Sequence, residues 1–431
     1  MTHFGILSSP LTGHLNPILS VAYELKKRGH HISVFGILDL ENKVKLTGDL
    51  DFYPIGKEKY PQGTQTKIFA RQGKSIGLSG VRNIFKILHK FTELNLEEAI
   101  AAIKTSNVDT LIIDQALIEG ETIASFLNLP FITVCGCILL NSDPQLPSFY
   151  TSLTYDPSWF GRLRNKIVNK YITLATISTF MSLIETIVQF RKEHHFENEF
   201  NLDSIWSKKA VICQQPREFD FPRILPEQYH YVGPLISKDA RPQIDFPWEK
   251  LNGKPLIYAS LGTLQNQLIS LYQMIADACT EFDVQLVIAL GNPSLPLKLE
   301  DLPGSPLVVQ YAPQLELLKK ATLCITHAGL NTSMECLMNA VPMVAIPITN
   351  DQPGVGARIA WTGTGEVIPV RKVSVKKLKT AIKRVLSDNS YRKNALKLKE
   401  TTIRAGGVTK AADIIEQVVT TGKPVLATTQ Q

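Results

Sequence analysis

Two groups of residues in this sequence have types and positions suited to chemistry, and the first is a histidine with a carboxylate. His14 follows an apolar, strand-like segment, and Asp114 ends a second one. Because the carboxyl ends of parallel strands meet at one edge of a sheet, the two side chains are expected to lie together. Imidazole can take a proton from a hydroxyl near neutral pH, and a carboxylate beside it fixes its tautomer and stabilises the imidazolium. The pair predicts a general base, and local packing or capping is the alternative for His14 alone.

The second group lies in a turn between a short apolar segment, predicted as a strand, and a helix predicted from Asn331 onward. The turn carries His327 and Gly329, and small polar residues follow. Free N–H groups and the positive end of a helix dipole converge at such a turn and favour a phosphate. Downstream, Asp351 and Gln352 add a carboxylate and an amide after another apolar segment. A phosphate cradle followed by these groups suits a nucleotide-sugar better than a bare nucleotide.

The elements that would position these groups alternate between strand and helix. Alternation of this kind predicts an α/β protein with parallel sheets covered by helices. The predicted strands are 4–7, 31–37, 110–113, 131–135, 256–260, 285–290, 321–325 and 341–346, and the predicted helices are 17–27, 119–127, 269–282 and several between 375 and 419. The segment 140–205, which is predicted to be mostly helical, interrupts the alternation. Its apolar part, 167–190, is predicted to be a helix pair.

The chain is too long for one core. With 431 residues and 44% hydrophobic residues, two domains of about 200 residues each are expected. The predicted boundaries are an acceptor-binding domain (1–215), a proline-rich linker (216–249), a nucleotide-sugar-binding domain (250–410), and a C-terminal helix and tail (411–431) that packs back on the first domain.

Charge and cysteine usage restrict the classes of protein. The net charge of +7 is concentrated partly in 57–90, where basic residues far outnumber acidic ones. These residues lack interleaved aromatics, so no nucleic-acid partner is expected, and a solvated face or attraction to anionic lipids remains. The six cysteines are scattered, some within apolar segments, which predicts reduced thiols. No signal peptide and no run of roughly 18 apolar residues is apparent, so we expect a cytoplasmic protein, at the inner membrane surface if it associates with lipid.

A longer pattern resembles the nucleotide-sugar signature of glycosyltransferase family 1. It runs from Tyr311-Ala-Pro-Gln314 through His327-Ala-Gly-Leu-Asn-Thr332 and Glu335 to Asp351-Gln352, and Leu261-Gly-Thr263 is a further landmark. The resemblance implies the GT-B architecture, in which two doubly wound, Rossmann-like domains face each other across a cleft. A narrower likeness, to bacterial zeaxanthin glucosyltransferases, rests on segments such as Phe219-Asp-Phe-Pro-Arg223 and Asp351-Gln-Pro-Gly354.

The resemblance also implies a role for each residue of the motif. Tyr311 would stack on uracil, the Ala312 backbone would pair with the base edge, and Gln314 and Glu335 would hold the ribose. His327, Asn331, Thr332 and Thr263 would bind the diphosphate, aided by Gly13, Gly262 and Gly329, and Asp351 and Gln352 would bond the sugar. His14 and Asp114 would be catalytic.

These roles define an inverting, metal-independent transfer from UDP-glucose, with no cofactor, to a hydroxyl of a small apolar acceptor such as a hydroxylated carotenoid. Soluble phenols, flavonoids or other small natural products are the alternative acceptors, and a non-catalytic nucleotide-sugar-binding protein is the alternative class. Asp49-Leu-Asp51 matches a metal-binding Asp-x-Asp pattern but lies far from the phosphate turn, so we interpret it as a solvated turn.

Overall fold

A computed structural model describes residues 1–140, 143, 145–264, 267–291 and 302–427. The described residues form two parallel β-sheets with helices packed around them. The N-terminal sheet has the order β3-β2-β1-β4-β5-β6-β7, and the C-terminal sheet has the order β10-β9-β8-β11-β12-β13. The strands are β1 (His3–Leu7), β2 (His31–Gly36), β3 (Asp51–Pro54), β4 (Thr110–Asp114), β5 (Phe131–Cys135), β6 (Val211–Cys213), β7 (Tyr229–Tyr231), β8 (Leu256–Ser260), β9 (Gln285–Ala289), β10 (Leu307–Val309), β11 (Ala321–Thr326), β12 (Met343–Ala345) and β13 (Gly365–Val367).

Helices cover both sheets, as the alternating pattern predicts. They are α1 (Thr12–Lys27), α2 (Glu41–Leu46), α3 (Thr64–Gln72), α4 (Gly77–Leu94), α5 (Ile100–Lys104), α6 (Gly120–Leu127), α7 (Trp159–Glu193), α8 (Ile269–Cys279), α9 (Gln314–Leu318), α10 (Leu330–Met338), α11 (Gln352–Trp361), α12 (Val375–Ser387), α13 (Asn389–Arg404) and α14 (Gly407–Thr421). The α/β prediction with two doubly wound domains is confirmed.

The strand order places one switch point in each sheet. It reverses between β1 and β4 in the first sheet and between β8 and β11 in the second. Ligands of doubly wound sheets bind beyond the carboxyl ends of the strands at such points, because loops diverge there and leave a crevice. His14 and Asp114 lie at the first switch point, and Gly262 and His327 lie at the second.

Three expectations about the elements need correction. The apolar segment 167–190 is one continuous helix, α7, rather than a pair, since no glycine or proline interrupts it after Gly161. By length and composition α7 could also span a membrane, although no such segment was expected. The predicted linker 216–249 contains β7, the last strand of the N-terminal sheet. Because β7 has only three residues, periodicity gives it no signal.

The C-terminal helix α14 packs on α1 of the first domain. Arg28 donates to Asp413 (2.8 Å) and to Glu416 (2.7 Å), and His30 contacts the other carboxylate oxygen of Glu416 at 3.0 Å. The chain therefore crosses between the domains twice, once after β7 and once before α14.

Candidate active site

His14 and Asp114 form a hydrogen-bonded pair at the edge of the N-terminal sheet. His14 Nδ1 lies 2.9 Å from Asp114 Oδ2 and 3.1 Å from Oδ1. Asp114 is fully buried, and its carboxylate also accepts the N–H groups of Ser9 (3.3 Å) and Ala116 (3.1 Å). These donors stabilise a carboxylate, so Nδ1 of His14 carries the proton that Asp114 accepts and Nε2 can accept another.

The environment of His14 sets its basicity. Burial alone would lower its pKa, but the charge and hydrogen bond of Asp114, together with the charge of Asp351, outweigh burial and raise the pKa above its usual value. His14 is therefore a stronger base than a free imidazole, and its side chain is neutral only above this raised pKa. Asp351 belongs to the other domain, so the two domains meet at His14.

The local sequence places His14 by leaving room for it. A Cβ atom on Gly136 would lie 2.8 Å from His14 Cα, so only glycine allows this approach. The helix that carries His14 begins at Thr12, five residues before the predicted start, and includes Pro17. Proline has no N–H to donate to the carbonyl four residues earlier, which is that of Gly13. That carbonyl accepts instead from Asn331 Nδ2 of the second domain at 2.9 Å.

The phosphate turn of the second domain ends at the start of α10. Gly329 caps this helix, and among the described residues no side chain accepts from its first-turn N–H groups, which are available to an anion. The imidazole of His327 lies between two glycines, because a Cβ atom on either Gly262 or Gly329 would approach its Nε2 to 2.5 Å. The glycines of the motif therefore fix the histidine ring as well as the backbone.

His327 is an uncharged group in this site. Burial lowers its pKa to about 4 and outweighs a contact with the Ser260 backbone, which acts to raise the pKa. Its Nδ1 is buried and has no hydrogen-bond partner among the described residues. It can contribute a hydrogen bond to a diphosphate, while the positive potential comes from the N-terminus of α10.

The residues predicted to hold the ribose form a hydrogen-bonded chain. Tyr258 donates to Gln314 Oε1 at 2.9 Å, and Gln314 Nε2 donates to Glu335 Oε2 at 2.7 Å. The other carboxylate oxygen of Glu335 accepts from Arg241 at 2.6 Å. Glu335 is almost fully buried, so the arginine balances a charge that would otherwise be costly.

Asn331 joins the two domains. Besides donating to Gly13, it accepts from Gln214 Nε2 at 2.8 Å through its amide oxygen. The resemblance assigns Asn331 to the diphosphate, and the structure shows that the same side chain also bridges to the first domain. Both polar atoms of the Asn331 side chain are therefore engaged by the first domain.

The remaining donor residues surround the same space. Tyr311 is half exposed, as a stacking platform requires, and burial raises the pKa of its hydroxyl. The carboxylate of Asp351 accepts the N–H of Ile138 at 3.3 Å, and burial raises its pKa. Gln352 accepts the N–H groups of Ile348 and Thr349 through its amide oxygen, which fixes the loop before α11.

A cavity of about 2250 Å³ between the domains brings these residues together. We call its polar side the donor wall. It consists of Gly262, Thr263, Tyr311, Ala312, Gln314, His327, Gly329, Asn331, Thr332, Glu335, Asp351 and Gln352. On the first-domain side, beside polar residues such as Asp39 and Lys43, lies an apolar cluster that we call the acceptor wall. It consists of Val81, Ile84, Phe85 and Leu88 of α4 and Phe180 and Ile184 of α7. Gly13 and His14 also line the cavity, and Asp114 lies behind His14.

The Asp-x-Asp pattern lies elsewhere. Asp51 is the first residue of β3 and contacts His31, the first residue of β2, at 2.5 Å. Both are at the amino edge of the N-terminal sheet, opposite to the edge that carries His14. Asp51 therefore forms an exposed pair with His31, remote from the turn that carries His327.

Three residues of the site carry no signal in the sequence. Arg241 lies in the proline-rich stretch and Gln214 follows the short β6, yet both contact donor-wall side chains. Gly136 lies between Cys135 and Cys137, and a pair of cysteines at this spacing suggests a metal site and not a packing role for the glycine. Each acts through a contact with a residue distant in sequence, so spacing cannot reveal it.

A GT-B fold with a histidine–carboxylate pair at one switch point and a glycine-flanked histidine turn at the other is typical of a glycosyltransferase, and known proteins agree. The UDP-glucoronosyl and UDP-glucosyl transferase family matches residues 17–403. The zeaxanthin glucosyltransferase of Pantoea ananas is 31% identical over 432 residues, covering 99% of this chain and 98% of that protein. That of Pseudescherichia vulneris is 29% identical and covers 97% and 98%. The structure of a calicheamicin glycosyltransferase covers 98% of this chain and 100% of that one with a TM-score of 0.74 at 19% identity.

The chain belongs to the UDP-glucoronosyl and UDP-glucosyl transferase family, glycosyltransferase family 1. It is therefore a transferase that uses a UDP-sugar as donor and a small molecule as acceptor.

Proposed function

We propose that the protein transfers glucose from UDP-glucose to a hydroxyl of an apolar acceptor such as a hydroxylated carotenoid. The observation that carries this proposal is that His14 opens onto a cavity whose first-domain side includes the apolar acceptor wall of α4 and α7. Such a surface recognises an acceptor by burial of apolar area rather than by directional hydrogen bonds.

The proposed reaction is a single displacement. Nε2 of His14 takes the proton of the acceptor hydroxyl while the hydroxyl oxygen forms a bond to the anomeric carbon. The bond from that carbon to the diphosphate oxygen breaks, and UDP leaves with the electron pair. One in-line attack inverts the anomeric centre and gives a β-glucoside from UDP-α-glucose. Asp114 stabilises the imidazolium that forms.

The proposal needs no metal ion. The charge that develops on the leaving UDP would be met by the uncapped N-terminus of α10 and by hydrogen bonds from His327, Thr332 and Thr263. Asp351 and Gln352, at the junction of the walls, would hold the hydroxyls of the sugar. Glucose is proposed because of Gln352 and because of the names of the two relatives above.

Carotenoids are proposed as acceptors because both relatives are zeaxanthin glucosyltransferases, at 31% and 29% identity. A carotenoid is dissolved in lipid, so we also propose a cytoplasmic enzyme that associates peripherally with the membrane. The acceptor wall, with Phe85 and Phe180 packed at 5.4 Å between ring centroids, suits a long apolar molecule.

The test is incubation of the purified enzyme with UDP-glucose and a panel of zeaxanthin, a flavonol and a simple phenol, with products detected by mass. The expected result is a zeaxanthin glucoside formed at a higher kcat/KM than any phenolic product. Faster glucosylation of the flavonol would overturn the carotenoid proposal in favour of soluble acceptors. Parallel reactions with UDP-galactose and with EDTA test the sugar and the metal independence.

A further inference from the structure

Helix α7 is apolar on two opposite faces. Its inner face packs along α4 and buries Ile172, Leu183 and Ile187. Its outer face carries large hydrophobic side chains that are 40–75% exposed: Trp159, Phe160, Leu163, Ile167, Tyr171, Leu174, Ile177 and Met181. We call this set the outer stripe. A surface helix normally places polar residues outward, and an exposed apolar patch of this kind indicates a site of interaction with another surface.

The outer stripe is continuous along the helix. Its members recur at spacings of three or four residues from Leu163 to Met181, and at about 100° per residue they fall in one sector of roughly 120°. Leu183 and Ile187 lie on the opposite side. The stripe ends at Glu185, one turn beyond Met181.

Basic residues flank the outer stripe on both sides. Arg162 and Lys166 follow one flank of α7, Lys170 lies near that flank within the sector of the stripe, and all three are exposed. On the other flank, α4 presents Arg82, Lys86 and Lys90 at helical spacing, and Arg82 donates to the carbonyl of Ala175 in α7 at 2.7 Å. Within the described part of the chain, no carboxylate forms an ion pair with any of these six cations.

The outer stripe reaches the acceptor cavity. Ile177 and Met181 belong to the stripe and also line the cavity, beside Phe180 and Ile184 of the acceptor wall. An apolar path therefore runs from the outer surface of α7 to the space in front of His14.

We propose that the outer stripe of α7 docks on an anionic lipid surface and that the acceptor enters the cavity from the bilayer past Ile177 and Met181. An amphipathic helix binds in the plane of a membrane when its apolar face enters the headgroup region and its basic flanks meet anionic lipids. Trp159 and Tyr171 are the residue types that favour this interface. The route of the acceptor rests on the proposed function, whereas the docking does not.

The flanking charges favour lipid over a second copy of the chain. In a two-fold dimer through the stripe, the same patch would face itself, and the basic flanks of the two copies would repel. Anionic headgroups would instead neutralise them. The other face of α7 is buried against its own domain, so the helix would lie along the surface rather than span the bilayer.

Flotation with vesicles tests the docking without any measurement of catalysis. We expect the wild-type protein to float with phosphatidylcholine vesicles that contain phosphatidylglycerol, and to float less at high salt. The double variant Ile167→Glu and Leu174→Glu, outside the cavity lining, should lower the bound fraction at least about tenfold. Lys86→Glu with Lys90→Glu should weaken binding to the anionic vesicles. The matched control is Ile403→Glu, at an exposed apolar residue of α13.

Three outcomes would overturn the proposal. The first is that the wild-type protein fails to float, and the second is that the double variant floats as well as wild type. The third is that light scattering shows a dimer and that the double variant dissociates it. Glucosylation of a simple water-soluble phenol should be unchanged in the double variant, while that of vesicle-embedded zeaxanthin should fall. Flotation without transfer to any acceptor would contradict the proposed transfer reaction alone, and transfer without flotation would contradict the proposed membrane association and leave the transfer reaction standing.

Discussion

The two walls of the cleft bind by different physics. On the donor wall several polar side chains are held by other groups: two glycines fix His327, and Gln314 and Arg241 fix Glu335. On the acceptor wall, Phe85, Phe180 and their neighbours make apolar contacts without direction. Hydrogen bonds select one ligand through geometry, whereas burial of apolar surface accepts many shapes.

This difference explains which half of the site a sequence reveals. A wall that binds the same UDP group needs fixed residue types at fixed spacing, and these form a motif. A wall that binds through area needs only apolar side chains, which look like any helix core. Substitutions should therefore have large, ligand-specific effects on the donor wall and small, graded effects on the acceptor wall.

The largest effect is expected where the walls meet. His14→Ala should lower kcat by about 10²–10⁴-fold because the acceptor hydroxyl loses its base, while the affinity for UDP stays nearly unchanged. Steady-state kinetics and calorimetric titration with UDP measure the two quantities. His31→Ala is the control, since His31 also contacts a carboxylate but lies at the opposite edge of the sheet. A tenth of the wild-type rate in His14→Ala would exclude His14 as the base.

The pH dependence should separate catalysis from stability. Because the pKa of His14 is raised, kcat/KM should fall about tenfold per pH unit below that pKa, where the base is protonated. Stability should respond in the opposite direction, since a raised folded-state pKa stabilises the fold below the unfolded value and this contribution is lost as pH rises through the folded value. Thermal unfolding of wild type and His14→Ala should therefore differ more at pH about 5 than at about 9. An equal difference at both would contradict this assignment.

Loss of charge on the donor wall should weaken donor binding. Glu335→Gln should raise the Kd for UDP by about 10–100-fold, because hydrogen bonds to a charged group contribute about 1.5–3 kcal/mol. The matched control ligand is UDP without ribose hydroxyls, and its Kd should be the same for wild type and for Glu335→Gln. A similar loss for both ligands would mean that Glu335 acts on the fold of the wall.

Arg241 should have a smaller effect than its partner. Arg241→Ala leaves Gln314 donating to the other oxygen of Glu335, so we expect the Kd for UDP to rise only about three- to tenfold. Arg241→Lys should restore part of the affinity. Tighter binding of UDP to Arg241→Ala would show instead that the arginine competes with the ribose for the carboxylate.

A similarly small effect is expected on the acceptor wall. Phe180→Ala removes apolar area from a half-buried side chain, so kcat/KM for a large apolar acceptor should fall about fivefold, corresponding to ~1 kcal/mol. The Kd for UDP should not change. A loss as large as that of Glu335→Gln would show that the acceptor wall also binds with fixed geometry, and the contrast between the walls would fail.

The parts of the fold that sequence predicts are those that depend on neighbours along the chain. The alternation of apolar segments and the turn that carries His327 are local patterns, and both are present in the structure. The bridge from Gln214 to Asn331, the contact of Arg241 with Glu335 and the three-residue strand β7 depend on tertiary contacts. The outer stripe of α7 was hidden because hydrophobic residues on two opposite faces cancel the amphipathic periodicity that would identify it.

Pro17 has a consequence that reaches beyond the first domain. A proline inside a helix ordinarily only removes a hydrogen bond. Here Pro17 leaves the carbonyl of Gly13 without its helical donor, and this carbonyl accepts a hydrogen bond from Asn331 of the other domain instead. Alanine at this position would supply the missing helical donor and let it compete with Asn331. A change that strengthens α1 would then loosen the alignment of base and donor, so stability and activity are opposed at a single residue.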